Sequence, residues 1–211
     1  KKMQDKYMME IPVEELFFKN NNVISGKKVE YLDTLNMIVP NRYFSLNITP
    51  SVNINNYASF FKEDLKLGQY YKSGRIGLIQ SDKAPNTVYL WSYNSQYPIA
   101  EIKNADYSAI NAALGMVGLT SIDALSTNFN PDNAKLDKLR TVSILADALI
   151  TTYTYKPLIG MLTATDPSGV TTYYDYDSFG RLKETYIYKD NIINAANKQI
   201  IQKYDYHYQN Q

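Results

Sequence analysis

From residue 150 onward, turn signals recur about a dozen residues apart, and the runs between them are rich in tyrosine and threonine. Asp166-Pro167-Ser168-Gly169 has Asp first, Pro second and Gly fourth, which is type I turn chemistry. Asp177-Ser178-Phe179-Gly180 follows, with a glycine able to take the positive φ of a hairpin bulge, and Asp190-Asn191 marks a third turn. Between and around them lie Thr151–Tyr155, Met161–Thr165, Thr171–Tyr176, Arg181–Tyr188 and Gln202–Tyr208. β-Branched and aromatic residues fit a pleated, half-buried surface, so these runs read as strands of a β meander. The 20 tyrosines, against 7 phenylalanines and one tryptophan, suit sheets with one packed and one wet side, because the ring packs while the hydroxyl finds a polar partner.

The first hundred residues contain no long helical pattern. Val23–Tyr31 alternates loosely and includes the turn signal Ser25-Gly26, and Pro12, Pro40 and Pro50 are expected to cut the region into short pieces. Arg75–Gln80 and Thr87–Tyr93 read as a hairpin with a longer loop, Ser81–Asn86. The segment 106–149 changes character. Asp106 is placed to cap a helix that Gly115 ends, and Thr120, with Asp123 three residues on, caps a second. Asn130-Pro131 opens a third, whose stripe is Leu136, Leu139, Val142, Leu145, Ala146 and Leu149. The expected class is therefore mostly β, antiparallel hairpins in a meander, with a small α-helical insertion. Its segments are a β-rich 1–105, a helical 106–149 and the meander 150–211, the first and last able to pack as one domain.

Composition narrows the function. With 22 Lys and Arg against 21 Asp and Glu, there is no basic field for a phosphate backbone, so nucleic acid is not expected as a partner. No cysteine is present and His207 is the one histidine, so thiolate and multi-histidine metal sites are excluded and no cofactor is expected. No apolar run approaches the ~20 residues of a membrane-spanning helix, and Lys1–Asp5 lacks the apolar core of a signal peptide.

Tyr176-Asp177-Ser178-Phe179-Gly180-Arg181-Leu182 resembles the YD repeat of the RHS/YD-repeat family, Tyr-Asp-x-x-Gly-Arg-Leu, at all five fixed positions. Tyr70-Tyr71-Lys72-Ser73-Gly74-Arg75-Ile76 is similar to a degenerate copy, with Tyr71 in place of Asp and Ile76 in place of Leu. Tyr204-Asp205-Tyr206-His207-Tyr208 starts like a third. Trp91–Ile102 and Thr152–Met161 look like stretches of large Bacteroidetes YD-repeat proteins. The resemblance covers roughly 70–102 and 150–208. It implies a secreted or cell-surface bacterial protein whose repeated hairpins build an extended β spiral or shell, with upstream repeats of the parent polypeptide as partner. It also implies carbohydrate binding, often described for the family. A toxin cargo is not expected: that boundary reads Asp-Pro-x-Gly-Leu in relatives, whereas here Asp166-Pro167-Ser168-Gly169 runs into Val170-Thr171-Thr172.

The repeat residues Tyr70, Gly74, Arg75, Tyr176, Asp177, Gly180, Arg181 and Leu182 have a structural explanation. Asp177 accepts turn amides, Gly180 permits the turn, Leu182 packs inward, and Arg181 pairs with Asp175 or Asp177. The alternative for Arg181 is ligand contact. Tyr204, Tyr206 and Tyr208 are expected on one strand face, as are Tyr174 with Tyr176 and Tyr186 with Tyr188, because side chains alternate with period two. Together with Trp91 these faces are candidates for contact with sugar rings, although cross-strand tyrosine pairs that simply stabilise the sheet weigh more. No Gly-x-Ser-x-Gly elbow accompanies His207, so no enzyme is expected.

Overall fold

The computed structural model describes Met3, residues 11–53 and residues 55–206. The protein is mostly antiparallel β with a small helical insertion. It divides into two compact units, residues 1–87 and 88–211. The described residues form twelve strands that follow chain order within each unit, and every pair whose register is described is antiparallel.

The first unit holds β1 (Glu14–Lys19), β2 (Asn22–Thr34), β3 (Met37–Asn53), β4 (Lys62–Tyr70), β5 (Ile76–Ser81) and the start of β6 (Ala84–Ser92). Asn20-Asn21 and Leu35-Asn36 both have positive φ and make the tight two-residue turns that suit a twisted hairpin. The short pieces expected here are instead two long strands, 13 residues in β2 and 17 in β3. Ser25-Gly26 lies inside β2. Pro40 sits beside a bulge: Tyr31 pairs with Pro40 while Glu30 pairs with Arg42, which leaves Asn41 as the extra residue. The β5–β6 connection is only Asp82-Lys83, shorter than the loop expected. The Ser81 hydroxyl holds it, accepting from the Lys83 amide at 3.2 Å and donating to the Asp64 carbonyl at 2.8 Å.

The second unit continues with β7 (Tyr97–Lys103), α1 (Tyr107–Met116), α2 (Ile122–Thr127), α3 (Asn133–Asp137), β8 (Leu149–Lys156), β9 (Gly160–Thr165), β10 (Thr171–Tyr176), β11 (Leu182–Tyr188) and β12 (Lys198–Lys203). Helix α1 runs past Gly115 to Met116 and is closed by Gly118, whose φ of +73° lets the Leu119 amide reach the Leu114 carbonyl at 2.8 Å. Ser121 rather than Thr120 caps α2, and Asp132 rather than Asn130 caps α3. The third helix is short and gives way to 3-10 turns at Lys138–Thr141 and Ser143–Leu145, because Val142 is extended, with φ −81° and ψ 122°. β-Branching makes this a weak helical position. Leu136, Leu139 and Leu145 are nonetheless buried, whereas Ala146 and Leu149 are exposed and Leu149 begins β8.

The helices belong to the second unit. The core lies between the helices and one face of β6–β8. It gathers Val88, Leu90, Ala100, Ile102 and Ile150 from strands, and Ile110, Leu114, Ile122, Leu125, Leu136 and Leu139 from the insertion. Ser92 donates to the Asn128 carbonyl at 2.9 Å, and the Ser95 amide to that of Ser126 at 2.7 Å. Arg140 is the main polar anchor. One of its terminal nitrogens donates to the carbonyls of Ile150 (3.1 Å) and Thr165 (3.0 Å) and to the Thr152 hydroxyl (3.0 Å), and the other to Asp137 (2.8 Å).

Candidate functional site: repeat turns and a tyrosine face

Three hairpin turns share one backbone design. At residues 71–75, 166–170 and 177–181 the first amide donates to the fifth carbonyl, at 2.9, 3.0 and 2.9 Å. The fourth residue, a glycine in each, donates to the first carbonyl at 2.9, 3.0 and 3.0 Å. Those glycines have φ of +79°, +86° and +75°, a left-handed conformation that closes the bulge and disfavours any side chain. The turn at 166–170 was visible in the sequence as a type I turn, but not as a third copy of the repeat turn. The shared Asp-x-x-Gly spacing is the signal that could have found it.

The side chains complete the design where Asp leads. Asp177 Oδ1 accepts from the amides of Phe179 (2.9 Å) and Arg181 (3.0 Å), while Oδ2 takes Arg181 Nε at 2.7 Å. Asp175 instead lies 3.7 Å from Lys183. The Arg181 guanidinium also lies 4.3 Å from the Tyr206 ring and 5.2 Å from that of Phe179, and Tyr206 donates to the Leu182 carbonyl at 2.9 Å. Arg181 is therefore engaged within the motif, and Leu182 is half-buried. Asp166 repeats the cap with the Val170 amide (2.9 Å) and the Ser168 hydroxyl (2.6 Å). In the degenerate copy Tyr71 gives up the carboxylate and is buried instead.

The repeat tyrosines act as clamps to the preceding strand. Tyr176 donates to the Met161 carbonyl at 2.8 Å and Tyr70 to the Pro40 carbonyl at 2.6 Å. Burial, and then the neighbouring Tyr43, push the Tyr70 phenol up to about 12. At Gly74 and Gly180 an added Cβ would meet an apolar side chain from the preceding hairpin, Met37 and Ile159 respectively, whereas one at Gly169 would meet nothing within 4 Å.

The Arg181 side chain, and then its amide, hold the Asp177 carboxyl below the ordinary carboxylate range, and the Ser168 hydroxyl does the same for Asp166. A depressed folded pKa contributes stability that is present above the unfolded value and lost as pH falls through the folded one. Urea midpoints of the native chain should therefore fall on acidification through and below the carboxylate range (unfolded Asp ~3.9). Asp177→Asn should lower the midpoint at neutral pH and flatten that acid limb; an unchanged limb would mean the cap is not coupled to folding.

The second feature is a face of tyrosines in the second unit. Thr152 and Thr154 of β8 face the helices or the threonine pairs beside them, with Thr154–Thr163 at 2.6 Å and Thr165–Thr171 at 2.9 Å. Tyr153 and Tyr155 point the other way, and the registers Tyr153↔Ala164 and Ala164↔Thr172 put Tyr174 and Tyr176 on that same side. Tyr89 and Trp91 of β6 join them, alternating with the buried Val88, Leu90 and Ser92. Tyr97 stacks on Tyr155 at 4.7 Å, with Tyr93 edge-on to both at 5.6 and 6.2 Å. Burial pushes the phenols of Tyr89, Tyr153, Tyr155 and Tyr176 upward. A shallow groove of about 310 Å³ runs beside the repeat turn, lined by Lys156, Ile159, Leu162, Tyr174, Tyr176 and Asp177 among others.

Trp91, Tyr174 and Tyr176 thus share one face, but the other candidates do not. Strand β12 ends at Lys203, so Tyr204 and Tyr206 follow it rather than lining a strand. The Tyr204 amide still donates to the Lys183 carbonyl at 2.9 Å. Tyr208 and His207 lie outside the described residues. Tyr186 and Tyr188 form a separate triangle with Tyr173 on the opposite face of the sheet.

No family model and no curated protein matches the chain. Solved structures of Tc toxin assemblies are similar at low identity. To a chain in the TcdB2-TccC3 structure without the hypervariable C-terminal region, the identity is 14% and the TM-score 0.47, covering 90% of this chain and 8% of that one. To a chain in the TcdB2-TccC3-TEV structure they are 13% and 0.48, covering 92% and 8%. To one in the Photorhabdus luminescens Tc holotoxin pore they are 12% and 0.47, covering 88% and 8%. The chain spans less than a tenth of the length of these structures' chains. No helix among the described residues is long and apolar enough to cross a membrane.

Proposed function

We propose that the chain is a non-catalytic structural YD-repeat module of a larger secreted or cell-surface protein, assembling with further repeats of its parent polypeptide into a β shell. The observation that carries this reading is the threefold use of one hairpin turn, with the same two backbone hydrogen bonds and a left-handed glycine each time. Sheet margins support it. Strand β12 exposes Ile200 (55%) and Ile201 (59%), and β1 exposes Phe17 (47%) and Phe18 (48%), apolar surface of the kind that adjoining strands bury.

A second reading, a carbohydrate-binding module, draws on the tyrosine face and the groove beside Tyr174 and Tyr176, since flat aromatic rings edged by carboxylates suit sugar rings. One paired experiment separates the two. The purified chain is mixed with a separately expressed segment of adjoining repeats from its parent polypeptide, and is also applied to a broad glycan array. The structural reading expects co-elution, a higher melting temperature in the mixture and a blank array. A reproducible glycan signal that Tyr176→Ala or Tyr174→Ala removes, with no association between segments, would replace it by the second reading.

A further inference from the structure

The tyrosines on the opposite face carry an arrangement that neither reading uses. Tyr173 and Tyr186 stand directly opposite each other in the β10–β11 register. Their rings are nearly parallel, at 8°, with centroids 5.3 Å apart. Tyr188 sits edge-on to both, at 5.1 and 5.5 Å, and closes the triangle. All three are half-buried, so each ring keeps a solvent-facing part from which an electron and a proton can leave. Lys198 holds the group in place. Its ammonium lies 3.9 Å from the Tyr186 ring centroid and is ion-paired with the buried Glu184.

We propose that Tyr173 and Tyr186 are a site of oxidative cross-linking, where a one-electron oxidant of the peroxidase class joins β10 to β11 through a dityrosine bond. Each phenol gives up one electron and one proton to become a phenoxyl radical. The two radicals combine through their ring carbons ortho to oxygen, forming one carbon–carbon bond. The two ortho hydrogens return to the oxygens as the rings regain aromaticity. Overall the protein loses two hydrogen atoms, and one hydrogen peroxide, acting through the peroxidase, is reduced to two waters.

Coupling requires two radicals held side by side, and paired strands supply that proximity before any oxidant arrives. The chain also contains no cysteine, so no thiol competes for the oxidising equivalents and no disulfide can staple the strands instead. Tyr97 and Tyr155 stack more closely, at 4.7 Å, but they are less able to react. The Tyr97 hydroxyl accepts from the Leu158 amide, and Tyr155 is the more deeply buried phenol, which hinders loss of its proton. Of the two stacked tyrosine pairs among the described residues, Tyr173–Tyr186 combines direct register with access.

The test exposes the full chain at low concentration to horseradish peroxidase and limiting hydrogen peroxide. Dityrosine fluorescence is followed, and the cross-linked peptides are mapped by mass spectrometry. The expected result is a monomer lighter by two hydrogens, with one dominant cross-link joining Tyr173 to Tyr186 and a higher melting temperature. Tyr173→Phe and Tyr186→Phe should each reduce the intramolecular fluorescence to background, whereas Tyr188→Phe should retain the Tyr173–Tyr186 peptide. Circular dichroism of each variant before oxidation separates lost chemistry from lost fold. A dominant cross-link at Tyr97–Tyr155 or elsewhere, cross-links only between molecules, or no dityrosine in the folded native chain would each overturn the proposal.

Discussion

Arg140→Ala is expected to cost the second unit about 3 kcal/mol, because it strips a charged donor from several acceptors at once. The carbonyls of Ile150 and Thr165 and the hydroxyl of Thr152 all take their bond from one terminal nitrogen of this side chain. Truncation leaves them facing a gap between the insertion and the sheet. The pair with Asp137 is a smaller part of the effect, since that carboxylate is 53% exposed and solvent screens it. Arg140→Met therefore makes the sharper comparison: it restores the apolar stem but no donor, and should recover only a minor share of the loss. Chemical denaturation of the full chain measures the total. Hydrogen exchange should show faster exchange in α1–α3, while the β10–β11 hairpin stays protected. A loss below about 1 kcal/mol, the scale of an ordinary surface substitution, would mean that apolar burial alone docks the insertion. That burial is substantial, with Leu136, Leu139 and Leu145 packed inward, and the measurement separates its share from that of Arg140.

This junction also shows what a linear pattern conveys and what it omits. The meander from 150 onward was legible because turns are local: Asp, Pro and Gly at fixed offsets set the backbone, and β10 and β11 fall where the strand-like runs lie. The apolar stripe of the third helix also located its buried leucines. It did not reveal the break at Val142, where docking onto the sheet outweighs continuing the helix. The long β2 and β3 were hidden by Pro40 and Pro50, since whether a proline ends a strand or sits at a bulge depends on the partner strand's register. Tertiary pairings were hidden for the same reason. Nothing in the spacing shows that Arg140 reaches a carbonyl 25 residues away, or that Tyr206 leaves the last strand to cover Arg181. The candidate sugar face was half legible: alternation put Tyr174 and Tyr176 together and Trp91 was named beside them, but only the sheet order adds Tyr89, Tyr153 and Tyr155, and the end of β12 at Lys203 removes Tyr204 and Tyr206.

Gly160→Ala is expected to destabilise the second unit by about 3 kcal/mol, combining overpacking and backbone strain of roughly 1–3 kcal/mol each. A Cβ at this position would collide with the Tyr176 hydroxyl oxygen and lie 2.8 Å from the ring carbon that bears it, and the residue sits at φ +155°. The tyrosine cannot simply swing away, because its hydroxyl is committed to the Met161 carbonyl at 2.8 Å. The clash is separable from the backbone effect by a double-mutant cycle. In a Tyr176→Ala background the ring is gone, and Gly160→Ala should cost only about 1 kcal/mol, the strain that remains. Equal costs in both backgrounds would show that the ring does not rest on the glycine. The first unit supplies the contrast. There Tyr70 reaches the Pro40 carbonyl from the corresponding place in its repeat, and Met37, instead of Ile159, closes over the repeat glycine. What the two copies share is the tyrosine hydroxyl bonded to a carbonyl of the preceding strand, so the tyrosine of the motif fixes how one hairpin sits against the one before it. Gly160 is where the second unit makes room for that tyrosine.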